Sequence, residues 1–217
     1  MNDSATDMLL YEKAFLEKGH SLIAGVDEAG RGAWAGPVIA AAVILPLDHE
    51  HLLGELEGVR DSKLCTARQR DVSYEVVRSV ALAIGVGSAS AGEVDRMGVV
   101  PASRLAMRRA VEKLSPRPDA LLIDGGYMRL RDVGLEQQPL VKGELKSISI
   151  AAASIIAKVE RDRLMIRLAG QYPDYGFARH KGYGTPQHRR ALAELGPCPI
   201  HRRSFAPVRR RLMEQTG

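Results

Sequence analysis

Gly25-Val26-Asp27-Glu28-Ala29-Gly30-Arg31-Gly32-Ala33-Trp34-Ala35-Gly36-Pro37-Val38 is the stretch on which the fold turns. The apolar run Leu22 to Val26 ends in two adjacent carboxylates. The chain then crosses a glycine-rich turn and resumes as the Val-, Ile- and Ala-rich run Val38 to Leu45. Gly30 to Gly36 fits a loose G-x-G-x-x-x-G, but a dinucleotide site needs a helix N-terminus after the turn, to face the pyrophosphate. Here a strand follows, and Asp27 and Glu28 would repel a pyrophosphate. The absence of a Gly-Lys-Ser/Thr ending excludes a P-loop. Two carboxylates at a strand end repel one another unless a cation neutralises them, so the pair reads as a solvated turn or as half of a metal site. Neighbouring strand residues point to opposite faces. Both reach one metal cluster only if the chain leaves the extended form near Ala29-Gly30, where glycine permits it.

Outward from this turn, the patterning predicts helices over 7–18, 66–77, 101–114 and 148–169, and one opening at Thr185-Pro186 and stopping at Gly196-Pro197. Strands are predicted over 22–26, 38–45, 81–88, 120–123 and 138–141, the first three pairing antiparallel. This order implies an α/β fold, a mixed sheet covered by helices. With 217 residues and no flexible linker, the chain reads as a single domain over 1–217, whose part from about 170 to 217 is a basic helical C-terminal extension. From Lys158 onward there are 13 Lys and Arg against 5 Asp and Glu, whereas the whole chain is only +5. The basic end suits a surface that meets a polyanion, or a solvated tail. No apolar run approaches the roughly 20 residues of a membrane span, and the polar Met1 to Asp7 has no signal-peptide pattern. A cytoplasmic protein is expected, with Cys65 and Cys198 as free thiols and no structural zinc.

Two further carboxylates change the weight of the Asp27-Glu28 pair. Asp124 ends the apolar strand 120–123 before Gly125-Gly126, a good place for a ligand, or for a turn residue. Asp162 lies on the long helix in step with Ser154 and Lys158, at i, i+4 and i+8, so the three share a face. A plain Lys158–Asp162 surface pair is the alternative. Together these are three separate acidic elements and a basic C-terminal segment.

In this order the motifs resemble those of ribonuclease HII. Gly25 to Gly32 with Ala35-Gly36-Pro37-Val38 is similar to its opening motif, and Asp61-Ser62-Lys63-Leu64 to its second. Leu122-Ile123-Asp124-Gly125 is similar to its third, Ile150 to Val159 with Arg161-Asp162 to its fourth, and His180-Lys181-Gly182-Tyr183-Gly184-Thr185 to its fifth. His201-Arg202-Arg203-Ser204-Phe205 also fits bacterial members. The likeness spans residues 22 to 208. It implies a ribonuclease H-like mixed sheet flanked by helices, and a metal-dependent endonuclease that hydrolyses RNA in RNA–DNA hybrids and cuts at ribonucleotides embedded in duplex DNA. It implies Asp27, Glu28, Asp124 and Asp162 as catalytic metal ligands. Asp as the fourth member, with no additional N-terminal domain, favours type HII over HIII. Gly30, Arg31 and Gly32 would contact the 2′-hydroxyl, and Tyr183 would stack on the sugar beyond the junction. Glu144 and Ala33 depart from the commoner pattern of the family, which has aspartate and proline there.

The chemistry so implied is hydrolysis with two Mg²⁺ or Mn²⁺ ions, hard cations suited to oxygen ligands. Asp27 would bridge them, and the product would carry a 5′-phosphate. Lys146, Lys158, Lys181 and the C-terminal arginines are candidate phosphate contacts, with Lys63 near the site, and binding should weaken with salt. The rivals are a non-catalytic nucleic-acid binding module and a nicotinamide oxidoreductase; the first leaves four carboxylates unexplained and the second lacks its helix. A monomer is expected. The end of the chain, Arg209 to Gly217, carries no sliding-clamp motif, so no clamp partner is expected from it.

Overall fold

The computed structural model describes residues 7–59, 66–131 and 133–216. The motif Asp61 to Leu64, with Lys63, and Cys65 lie outside the described residues. In chain order the elements are α1 (Leu10–Glu17), β1 (Ile23–Ala29), β2 (Val38–Ile44), the single turn α2 (Leu52–Glu55), α3 (Ala67–Val80), β3 (Ala83–Ala89), α4 (Ala91–Met97), α5 (Val99–Val111), β4 (Ala120–Asp124), β5 (Glu136–Leu140), α6 (Ile148–Gln171), α7 (Phe177–His180), α8 (Pro186–Leu195) and α9 (Ala206–Thr216). The strands form one sheet in the order β3-β2-β1-β4-β5. The first three run antiparallel, β1 and β2 joined by the glycine turn and β2 and β3 by a longer link that carries α2 and α3, while β4 and β5 lie parallel to β1. The sheet is therefore mixed, with helices on both faces.

Strand β2 is buried along its whole length, as expected of a continuous apolar run covered on both sides. On one face Ala24, Val26, Ala40 and Ala42 pack with Ala102, Ala106 and Ala110 of α5. On the other, Ala41 and Val43 pack with Ala152 and Ile155 of α6 and with Tyr74 and Val77 of α3. Helix α6 comes so close to β1 that a Cβ on Gly25 would lie 2.0 Å from the backbone of Ser149. At the start of α6, Ser147 Oγ accepts from Ile150 N–H and donates to the buried Glu12 carboxylate on α1, which also accepts from Ser149 N–H. A carboxylate at a helix N-terminus is favoured by the helix dipole, so α1 is tied to α6 at that point.

Several predicted boundaries shift. Strand β5 covers 136–140 rather than 138–141. Helix α4 lies in a stretch for which the patterning predicts no element, although Ser90 and Glu93 form a full capping box at its start. Helix α9 fills the basic end.

The C-terminal elements are attached through buried polar groups. Cys198 N–H donates to His201 Nδ1 (2.9 Å), which leaves His201 Nε2 as the donor to His188 Nε2 (3.0 Å) and His188 Nδ1 as the donor to the Tyr183 carbonyl (3.0 Å). This one-directional chain needs both rings neutral. Burial lowers the pKa of each to about 4. Both values lie below the ordinary histidine value of about 6.5, so the stabilisation is complete above pH 6.5 and is lost as pH falls toward about 4. NMR titration of the imidazole resonances should give midpoints near 4 for His188 and His201, with the urea midpoint falling over the same range; midpoints above 6 would contradict the neutral chain.

Candidate active site

Strand geometry decides which carboxylates meet. Along β1, Ala24 and Val26 face α5, so Glu28 leaves on that face, while Gly25 and Asp27 face α6. Val26 pairs with Ile123 in the parallel β1–β4 ladder. The next residues, Asp27 and Asp124, therefore stand side by side at the carboxyl ends of adjacent strands, where open α/β sheets carry their ligand crevices. A cavity of about 430 Å³ crosses those strand ends, and Asp27, Glu28 and Asp124 all line it, with Gly30, Arg31, Arg70, Ser154, Lys158 and Tyr183. Because the cavity lies across the end of β1, side chains leaving either face of the strand reach it. The chain departs from the extended form at Gly30, whose φ is +93°.

Each carboxylate is held in place. Asp27 accepts from Glu28 N–H at 2.7 Å and hydrogen-bonds the Ser154 side chain. Asp124 accepts from Gly143 N–H at 2.7 Å. Gly143 packs closely here: a Cβ would lie 2.6 Å from Ile150 Cδ1 and 3.3 Å from Asp124 Oδ1, so a larger residue would displace the Ile150 side chain and crowd the carboxylate. Glu28 is paired with Arg31 Nη1 at 3.1 Å, and Arg31 also donates to the Tyr127 hydroxyl. Asp162 stands slightly apart. It pairs with Lys158 at 2.8 Å and lines the adjoining hollow with Lys181 and Arg70. Lys158 and Arg161 lie 5.7 and 5.2 Å from the centre of the Tyr183 ring. Tyr183 reaches the cavity because Gly182 and Gly184 pack against the glycine turn, where Trp34 N–H donates to the Gly182 carbonyl at 2.8 Å.

The sequence-predicted residues thus divide. Asp27, Glu28, Asp124, Gly30, Arg31, Lys158 and Tyr183 surround one cavity; Asp162 and Lys181 flank it. Gly32 is exposed on the turn, and Lys146 follows the turn that holds Asp124 without lining the cavity. Ser154, Arg70, Tyr127 and Gly143 are additional members. Ser154 had a signal, being one helical turn before Lys158 on the same face; Arg70, on α3, had none. Of the two departures, Ala33 is buried and donates its N–H to the Gly30 carbonyl at 3.3 Å, a bond proline cannot make. Glu144 is buried beside Gly143.

Burial drives the Asp27 carboxyl well above the ordinary range, and the charges of Glu28 and Asp124 push it further. Burial also raises Glu28 to about 7, against the pull of Arg31. Glu28 Oε2 is buried with no hydrogen-bond partner. Among the described residues no three Asp, Glu, His or Cys side chains already converge as a closed metal shell. The donor set nonetheless fits a hard divalent cation. It is all oxygen, it holds an unpartnered buried carboxylate oxygen, and its mutual repulsion is only partly offset by Arg31 and Lys158.

The family model described as Ribonuclease HII matches residues 24–208. The chain is 54% identical over 201 residues to a protein named Ribonuclease HII from Chloroflexus aggregans, covering 92% of this chain and 93% of that one. Among solved structures, the ribonuclease H2 from Pyrococcus horikoshii OT3 superposes with a TM-score of 0.76 at 26% identity, covering 88% of this chain and 97% of that one. The RNase HII from Archaeoglobus fulgidus, solved in complex with PCNA, gives 0.71 at 28% identity, covering 83% and 93%.

If the three carboxylates are strained against one another without a cation, relieving one charge should stabilise the metal-free protein. Asp27→Asn in EDTA at pH 7 is expected to gain about 1–2 kcal/mol by urea unfolding. Unchanged or lower stability would show that the cluster carries no such strain.

Proposed function

The chain belongs to the ribonuclease HII family of metal-dependent ribonuclease H endonucleases, and from that premise we propose that it hydrolyses the RNA strand of RNA–DNA hybrids and cuts at single ribonucleotides in duplex DNA. The observation that carries this reading is the convergence of Asp27, Glu28 and Asp124, with Arg31, Lys158 and Tyr183, on one open cavity beside the glycine turn.

Asp27, Glu28, Asp124 and Asp162 would hold two Mg²⁺ or Mn²⁺ ions, and Asp27, whose carboxyl feels the charges of both Glu28 and Asp124, would be the ligand they share. Bound there, the ions would supply Lewis acidity for an attacking water and for the leaving 3′-oxygen, and the RNA-side product would carry a 5′-phosphate. Asp162 joins the other three by exchanging its partner Lys158, whose ammonium is then free to meet a phosphate. Arg31, at the lip, meets the phosphate or sugar next to the scissile bond. The peptide groups of Gly30 to Gly32 read the 2′-hydroxyl, the atom that distinguishes RNA from DNA, because no side chain stands in front of a glycine. Tyr183, backed by two cations, offers its ring to the deoxyribose beyond the junction. Lys146, Lys181 and the basic end track the backbone at greater distance, and Lys63 belongs to the same reading. No helix among the described residues is long and apolar enough to cross a membrane. The action proposed is on nucleic acid in the cytoplasm, by a monomer.

The direct test is a DNA duplex carrying one ribonucleotide, incubated with Mg²⁺, Mn²⁺ or EDTA. Cleavage on the 5′ side of the ribonucleotide, leaving the 5′-phosphate on the RNA-side product and abolished by EDTA, is expected, and Asp124→Asn should lower the rate at least about 100-fold. Binding without cleavage would instead make the protein a recognition module. Tyr183→Ala should keep cleavage of long hybrids while losing most junction selectivity; intact selectivity would remove Tyr183 from that role.

Cation affinity gives a second check. With Glu28 at about 7, protons compete with the cation below that pH, so affinity should rise as pH passes upward through 7. Calorimetric Mn²⁺ titration between pH 6 and 8 should show tighter binding and less proton release at the higher pH. A flat profile would exclude Glu28 as a ligand.

A further inference from the structure

Two arginines lie beneath the glycine turn with no exposed surface, Arg161 on α6 and Arg202 in the segment before α9. A buried guanidinium is costly unless it is well hydrogen-bonded. Both spend their hydrogen bonds on carbonyls of this one turn. Arg161 donates from Nε to Pro37 (3.0 Å) and from Nη2 to Ala35 (3.2 Å). Arg202 donates from Nε to Gly36 (3.0 Å) and from Nη1 to Arg31 (2.8 Å). The backbone adds Arg202 N–H to the Trp34 carbonyl at 2.7 Å and Gly36 N–H to the Ile200 carbonyl at 2.9 Å. Gly30 rests directly on Arg161, since a Cβ there would lie 1.9 Å from Nε.

The Arg31–Gly32 peptide is trans, and a trans peptide points its C=O and N–H in opposite directions. Arg202 draws the Arg31 carbonyl inward, so the N–H of the same peptide, that of Gly32, is turned outward, and Gly32 is exposed. We propose that Arg202, with Arg161 under Gly30, is a positioning residue for ribose discrimination: it fixes the turn so that the Gly32 N–H faces the 2′-hydroxyl. This rests on the reading that the turn meets the ribose. It also assigns work to the His201-to-Phe205 run, which the cavity itself does not use. A lysine could not reproduce the two-point grip, because its ammonium is a single point on a flexible stem.

The experiment compares wild type, Arg202→Met and Arg202→Lys on a duplex with one ribonucleotide, with affinity for the all-DNA duplex as the control for phosphate contacts. Arg202→Met should lose about 100-fold in kcat/KM, mostly in kcat, and Arg202→Lys about 10-fold, while all-DNA affinity stays within about threefold. Hydrogen exchange should speed up at the Gly30–Gly36 amides in both variants without spreading to β1 or β2. If Arg202→Met does not fold, Arg202→Lys carries the test alone. Unchanged kcat/KM in Arg202→Lys, or all-DNA affinity falling in step with cleavage, overturns the inference. A wild type that shows no preference for the ribonucleotide overturns the underlying reading as well, and so separates the two failures.

Discussion

Helix α6 lies almost in contact with the backbone of β1, which only a glycine at position 25 allows. That crossing fixes the helix over the carboxyl ends of β1 and β4, and the site inherits its geometry from it. Counting along α6 from Ser149, successive turns bring Ser154 to Asp27, Lys158 to the edge of the cavity and Asp162 beside it. A side chain at Gly25 would lift the helix off the sheet and separate the acidic residues of the two layers. The same helix carries Arg161 inward beneath the glycine turn, so the acidic cluster and the turn are set by one packing contact.

The site is assembled against its own electrostatics. Asp27 and Glu28 are buried near one another and near Asp124, and their carboxyls are pushed up accordingly. Arg31 and Lys158 partly compensate, each by pairing with a carboxylate. Such strain at a site is retained where binding relieves it. In the proposed reading the relief would come from a hard divalent cation on the carboxylates and a polyanion for the cations, and both exchanges would point the same way. Arg31 and Lys158, now paired with Glu28 and Asp162, would then exchange those partners for phosphate.

The C-terminal segment shows a different use of buried polarity. Its histidine chain ends on the Tyr183 carbonyl, and its Arg202 ends on the Arg31 carbonyl. Two of the residues proposed to meet the sugar are thus held through their carbonyls from the same distant piece of chain. Asp95, at the end of α4, accepts from Arg203 and Ser204 N–H and anchors that piece to the opposite side of the sheet. What reads in sequence as a basic appendage is a brace for the turn.

Local pattern was enough to read most of the architecture. The apolar runs marked β1, β2 and β4, the Thr185-Pro186 cap marked α8, and the strand following the glycine turn excluded a dinucleotide fold. Asp27, Glu28 and Asp124 were legible because each ends an apolar strand at a glycine, a signal carried by neighbours in the chain. Strand β5 was misplaced by two residues because its sequence, Glu136 to Leu140, is polar and only partly buried, so no hydrophobic period marks it. Arg161 was named in a motif without a role, and Arg202 fell among the C-terminal arginines expected to contact phosphate, since a charged residue in sequence reads as surface; its burial removes Arg202 from that set. Only the tertiary structure buries them, because their acceptors are backbone carbonyls up to 171 residues away, and which carbonyls lie within reach is a property of packing and not of side-chain order. The sequence by itself determined which residues could bear the chemistry; the crossing of α6 over Gly25 and the return of the C-terminal segment decided which of them meet.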